Sequence, residues 1–450
     1  QDHLARRVLA LCESFELKSL EQQYSSLGRP GHAPRRLLAL WVYASLIGVH
    51  SASALERQLR TDAALRLLSG GHQVSAATLK RFRRKGAHAF AEALTRTVAM
   101  ADDLGLLDTA ELAVDSAKLR ANASLDSVRT VERSTRRLED LARVDVASLS
   151  KESRERHAAR VDKHESALAL CAERGRTNVV IGAPNAGLMK FPQGLSAPGH
   201  RVHVVSSSAT ERIVVGVLVD AKTHDYGALG PALEQARAVL VKAGVTFDVL
   251  GATADAGYAS ERDLRWAEDH RDDFDVVVSL RGAGGDPSRK KYFPPDAFVR
   301  DDEGRPVCPA GRPMEGPARH TGGRVLWRGV GCEDCALRPQ CTPGRRRTLS
   351  TTAAREAMAQ KLGTPEGRDR YRKRIATVEP VFASVSHVMR VTRASSRDPE
   401  TVHAEILLKL LAHNIGRLLG AETLSVVFVV FEPDGRGALS RDPNAAQEAF

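Results

Sequence analysis

The stretch that most constrains this chain is Ala252-Thr253-Ala254-Asp255-Ala256-Gly257-Tyr258, which follows the apolar run Phe247-Asp248-Val249-Leu250. A run rich in β-branched and aromatic residues predicts a buried strand, and Gly257 supplies a turn where it stops. Asp255 is then an acid at a strand's carboxyl end, where open α/β sheets place their active crevices. Two readings compete: Asp255 is a metal ligand, or it caps a helix beginning near Ser260. A second acid, Asp115, ends another short apolar run, Leu112-Ala113-Val114-Asp115-Ser116, and this tilts the balance toward the ligand. A third, Glu379, follows the basic helical stretch Tyr371-Arg372-Lys373-Arg374. Two strand-end aspartates and a helix glutamate have the donor chemistry to cage two Mg2+ ions.

The charge balance names the kind of partner. A formal charge of +11 over 450 residues points to a polyanion, because clustered Lys and Arg bind phosphate backbones by releasing counterions. Residues 1–100 hold fifteen Lys and Arg against seven Asp and Glu, so most of the excess lies there. No apolar run reaches the ~18 residues that span a bilayer. The longest, Leu37 to Val49, fits a buried helix, and the charged start lacks a secretory signal's apolar core. The expectation is a cytoplasmic, nucleoid-associated protein without a membrane partner. A hydrophobic content of 42% is enough to give two or three domains a core each.

Residues 1–100 read as helices throughout, with breaks at Pro30, Pro34 and Gly70-Gly71. Ser75 is an N-cap, and the helix after it carries Lys80, Arg81, Arg83, Arg84 and Lys85. With a preceding helix over Ala54 to Leu68 and a Gly turn, this predicts a helix-turn-helix that meets phosphates or the major groove; the alternative is a merely solvated basic face. A charged helical pair over 126–174 follows, scaffold or dimer arm. Strands are predicted at Arg201–Val205, Ile213–Val219 and Phe274–Leu280, with helices at Ala228–Ala243 and Glu261–His270. That order gives a mixed α/β sheet with the first and fourth strands side by side.

From 282 onward Gly and Pro become dense, and Cys308, Cys332, Cys335 and Cys341 offer four thiolates, the set for a closed tetrahedral zinc site. Unligated thiols and an iron–sulfur cluster are the alternatives. The last helix spans Val402 to Leu419, where His413 is a packing residue; Leu424 to Phe431 is a strand or a packing segment, and 432–450 reads as a disordered tail.

Taken together these residues resemble the DDE transposases of bacterial insertion sequences. The resemblance runs from about residue 20 to 420. It rests on Leu27-Gly28-Arg29-Pro30, Thr78 to Arg83, Val114-Asp115 with Lys118 and Ala121-Asn122-Ala123, Ala254 to Tyr258, the cysteine cluster with Ala336-Leu337-Arg338, and Tyr371-Arg372-Lys373-Arg374 leading to Val378-Glu379-Pro380-Val381-Phe382. It implies a ribonuclease-H-like core in which Asp115, Asp255 and Glu379 hold two Mg2+ per site, with Lys118, Tyr371, Arg372 and Arg374 on DNA. It also implies cutting and joining of transposon ends and target DNA by a homodimer or higher oligomer. The domains are then 1–105 (DNA-binding), 106–284 plus 362–431 (catalytic) and 285–361 (zinc-ribbon-like insertion). Asn185 and Ser386-His387 depart from the family's pattern, which puts end recognition in question more than catalysis. Two further readings stand: a DNA-binding derivative that no longer transposes, and a nuclease on the same core.

Overall fold

The computed structural model describes residues 3–22, 31–191, 194–207, 210–280, 292–293, 295–301, 303, 305–320, 324–420, 428–431 and 437–440. Leu27-Gly28-Arg29-Pro30 lies outside them.

Helices open the chain: besides a single turn at Lys18–Glu21, the described residues form α1 (Leu4–Glu13), α2 (Pro34–Leu46), α3 (Ala52–Gln58), α4 (Ala63–Leu68), α5 (Ala76–Lys85) and α6 (Ala87–Asp103). The single helix expected over Ala54 to Leu68 is two. Asp62 accepts the backbone N–H of Leu65 at 2.9 Å and so starts α4 anew, which is what an Asp does at an N-cap. Ser75 caps α5 through the N–H of Thr78, as its position predicts.

The sheet is mixed. Strand β1 (Leu112–Arg120) pairs antiparallel with β3 (Ser196–Ser207) and parallel with β5 (Leu250–Ala254), which pairs parallel with β6 (Phe274–Val278). The far edge of β3 is shared by β2 (Gly187–Lys190) and β4 (Val214–Asp220), both antiparallel to it. The first and fourth predicted strands are therefore neighbours. The fourth starts later than its apolar run suggested, because Asp248 and Val249 face solvent and pairing begins at Leu250. The first runs four residues past Ser116, so Asp115 sits in its middle rather than at its end.

Alternation along these strands separates two layers, since successive side chains point to opposite faces. Leu112 and Val114 face a core with α9 (Leu229–Ala243) and α10 (Glu261–Asp269). Leu119, Val202 and Val204 face the other core, shared with α13 (Pro399–Leu418) and with α1 to α6. The opening helices are therefore not a separately packed unit: their apolar stripes merge with α13 and the sheet in one core. Between β1 and β2 project α7 (Val131–Ala142) and α8 (Lys151–Glu173), the expected charged pair.

Residues beyond β6 carry a three-stranded antiparallel sheet, β7 (Glu315–His320), β8 (Arg324–Arg328) and β9 (Thr348–Thr352), before α11 (Ala353–Gly363) and α12 (Pro365–Ala383). His413 is buried in α13 with Nε2 3.0 Å from the Arg212 carbonyl oxygen, a packing residue as read. Phe428–Phe431, in the stretch read as a strand or packing segment, pairs antiparallel with Gly437–Ser440, in the stretch read as a tail; the rest of 432–450 lies outside the described residues. Among the described residues no helix is long and apolar enough to cross a membrane.

Candidate active site

The register of β1 on β5 decides where the acids meet. Val114 pairs with Ala254, the last residue of β5, so Asp115 and Asp255 each follow a register pair, near enough for the Asp255 charge to act on Asp115. Asp115 Oδ1 accepts the N–H of Ser116 at 2.7 Å, and Oδ2 accepts Nη1 of Arg374 at 2.9 Å. Burial pushes the Asp115 carboxyl above its ordinary range, and the Asp255 charge adds to that, while Arg374 and the Ser116 N–H pull against it. Burial sets most of this shift, the Asp255 charge adds to it, and a cation nearby offsets both. Arg374 supplies one: it is buried, stacks near the Tyr371 ring and has its own pKa raised by Asp115 against its burial.

Asp255 does not cap the helix that begins near Ser260. Its Oδ1 accepts the Gly257 N–H at 2.9 Å and closes the short turn Ala256–Tyr258, while Ser260 caps α10 itself. A Cβ at Gly257 would come within 2.6 Å of Asp225 Oδ2 and 2.9 Å of Asp255 Oδ1, so a side chain there would push one of the carboxylates aside.

Glu379 stands apart from the pair. It lies on α12 five residues beyond Arg374, and at 100° per residue that turns it well away from the face that Arg374 presents to Asp115. It is exposed, whereas Thr377, Val378 and Val381 bury the helix against the sheet. Among the described residues no three Asp, Glu, His or Cys side chains are gathered tightly enough to form an ion's ligand shell. The aspartate pair alone fits a hard cation, by oxygen donor type and by the repulsion just described. Pro380 and a π-helical turn at Ser384–Val388 follow Glu379, and both mark places where a helix deforms.

Behind the pair, on the α9 face, lies a polar cluster that the motifs did not reveal. Ser116 Oγ donates to Asp225 Oδ1 at 2.5 Å, and Arg201 Nη1 donates to the same oxygen at 2.7 Å and to Ser116 Oγ at 2.8 Å. Tyr258 OH is 2.7 Å from His203 Nδ1, and burial together with Asp225, Asp115 and Asp255 drives its pKa up. Asp225 lies in the loop between β4 and α9 rather than directly at a strand end, so no sequence signal marked it.

The cations expected on DNA divide. Lys80, Arg81, Arg84 and Lys85 are exposed on α5. Arg83 is not: it is buried against Glu405 at 3.6 Å, over the Trp41 ring, with Nη2 donating to Ser395 Oγ. Leu79, Phe82 and Arg83 share the inward stripe of the helix, which takes Arg83 out of the DNA-facing set. Arg374 is likewise spoken for by Asp115. Lys118 is exposed, with Nζ donating to the Lys190 carbonyl at 2.7 Å, and Arg372 is exposed beside Asp369.

Cys308, Cys332, Cys335 and Cys341 line one pocket beside β8 and β9, all as free thiols. Burial raises the Cys341 pKa, Arg347 lowers it, and the other three thiols raise it. Cys308 and Cys332 each open a tight turn, with the Gly311 N–H on the Cys308 carbonyl at 2.7 Å and the Cys335 N–H on the Cys332 carbonyl at 3.5 Å.

Comparison with known proteins gives two family matches. Residues 307–419 match a transposase DDE domain, and residues 1–85 match a transposase domain of the DUF772 type. No curated protein matches the chain. Among solved structures, a piggyBac transposase synaptic complex with hairpin DNA, determined by cryo-EM, covers 97% of this chain and 77% of its own at 8% identity and a TM-score of 0.37. A likeness that distant carries no argument here.

Proposed function

We propose that this chain, a DNA transposase of the DDE insertion-sequence type by its matches over residues 1–85 and 307–419, cleaves transposon ends and joins them to target DNA at the Asp115–Asp255 pair. The observation that carries the reading is the register Val114 to Ala254, after which the next residue of each parallel segment is a half-buried aspartate. The strand order β4-β3-β1-β5-β6, with only β3 antiparallel to its neighbours, supports a ribonuclease-H-like core. Mg2+ held there by Asp115 and Asp255 would activate the attacking oxygen and stabilise the leaving 3′ oxygen of a phosphodiester.

The chain's own residues do the rest. Asp115 and Asp255 would hold the cation, and Arg374, which pairs with Asp115 and lies beside the Tyr371 ring, would orient a phosphate near the scissile bond. Glu379 joins as third carboxylate only if α12 rolls about its axis, for which the Pro380 and π-turn region supplies the deformable end. Lys80, Arg81, Arg84, Lys85, Lys118 and Arg372 bind backbone phosphates from the exposed surface. The four thiols are proposed as a structural zinc site: drawing them in around one dication removes the repulsion among them. Assembly as a dimer or higher oligomer on DNA belongs to the same proposal.

The test is strand cleavage of DNA carrying the element's ends in Mg2+, active in the wild type and lost in Asp115→Asn and Asp255→Asn. A second reading, a DNA-binding derivative without strand cleavage, draws on the Arg374–Asp115 pair and the exposed Glu379. Cleavage by the wild type rules it out.

A further inference from the structure

Asp225 belongs to no motif read from the sequence, yet it touches the surroundings of both aspartates. Its link to Asp115 passes through a single residue. Ser116 gives its N–H to Asp115 Oδ1 and its Oγ to Asp225 Oδ1, so the peptide that orients one carboxylate is held by the other. Its link to Asp255 is steric. A Cβ on Gly257 would come within 2.6 Å of Asp225 Oδ2 and 2.9 Å of Asp255 Oδ1, so both carboxylates stand against the same turn. Arg201, on the neighbouring β3, donates to Asp225 and to Ser116 and anchors itself on the Thr223 carbonyl at 2.6 Å. The Arg201–Asp225 pair is largely buried, and burying two charges wins little stability over an apolar pair. What such a pair does supply is fixed geometry.

We propose that Asp225 is a positioning residue for the Asp115–Asp255 pair: through Ser116 and the Gly257 turn it holds the two carboxylates at the spacing a divalent cation needs. Arg201 cancels its charge, so it shapes the site without adding to the repulsion there. The proposal rests on the reading of the pair as the cation site. Residues that orient ligands from behind typically set metal affinity by about 10- to 100-fold.

The experiment is Mn2+ titration of the full chain, followed by calorimetry or by the electron-spin signal of free Mn2+, in the absence of DNA. Ser116→Ala removes the bridge while leaving Asp225 paired with Arg201, and Asp225→Asn removes the charge while keeping the shape. Both should weaken Mn2+ binding by about tenfold or more, whereas Ser116→Thr, which keeps the hydroxyl, should stay within about twofold. DNA binding in EDTA, measured on the same preparations, checks that each variant is folded. Folded Ser116→Ala and Asp225→Asn chains that bind Mn2+ like the wild type overturn the proposal, provided Asp115→Asn and Asp255→Asn weaken it. If those two variants also bind Mn2+ unchanged, the pair is not the cation site, and the underlying reading falls together with the proposal.

Discussion

Arg83→Ala separates a structural cation from the DNA-facing ones beside it. In the wild type the guanidinium meets Glu405, itself almost fully buried, at 3.6 Å, lies 5.1 Å from the Trp41 ring centroid and donates to Ser395. Removing one partner of a buried pair costs about 3–5 kcal/mol, because the other charge stays behind. Glu405 keeps hydrogen bonds from Ser395 N at 3.0 Å and Oγ at 2.8 Å, and Lys409 stands near it, so the lower end, about 3 kcal/mol, applies. The assay is amide hydrogen exchange of the segment carrying α5 and of the α13 segment it packs on. A loss of that size raises the opening equilibrium, and so the exchange rate, by about two orders of magnitude. Lys80→Ala, on the exposed face of the same helix, should move it by less than about 0.5 kcal/mol. Equal exchange in Arg83→Ala and Lys80→Ala would refute the burial argument.

The exposed set makes its own demand: Lys80→Ala, Arg81→Ala, Arg84→Ala and Lys85→Ala should each lower the log–log salt slope of duplex binding by about 0.9 where the cation meets a phosphate. An unchanged slope in the quadruple variant means that these cations face only solvent. Burial pushes the His413 imidazole down from 6.5 to about 4. A depressed folded pKa gives stability that is present above 6.5 and lost as pH falls toward 4, about 2 kcal/mol by pH 5. His413→Gln should flatten the urea-unfolding midpoint between pH 6.5 and 5, and equal slopes would count against this burial. Elemental analysis should find about one zinc per chain, reduced by Cys332→Ser or Cys335→Ser, if the four thiols close on a metal as structural sites do; metal-free protein with the β7-β8-β9 sheet intact would remove zinc from the account.

Much of the framework was legible because apolar runs and caps act locally. Ser75 starts its helix where its position before a periodic run predicts, and the helix expected at Glu261–His270 begins there, though capped by Ser260. The extension of β1 through Arg120 was legible too, in the alternation of Lys118 and Arg120 outward with Leu119 inward, but charge at Lys118 hides it from a reading that follows apolar runs. Arg83 differs from Arg84 only by its place on the stripe with Leu79 and Phe82, so residue type alone assigns it wrongly. The acid pair was visible as two motifs, whereas their adjacency needs the parallel register. Glu379 exposes the limit of motif order: sequence places it after Arg374, but only the packing of α12 on the sheet fixes which of the two faces Asp115. Asp225 was hidden for the opposite reason, since its partners Ser116 and Arg201 are distant in sequence and meet it only across the sheet.

The most direct measurement of the central claim compares the wild-type chain with Asp255→Asn on labelled DNA bearing the element's own ends, in Mg2+ and in EDTA. Asp255 accepts the Gly257 N–H, and its charge acts on Asp115 and Arg374, so its amide keeps the shape and removes the charge. The account predicts strand cleavage by the wild type in Mg2+, none by Asp255→Asn, and equal DNA binding by both in EDTA. Cleavage by Asp255→Asn at the wild-type rate, or no divalent-ion-dependent cleavage by the wild type, would contradict it.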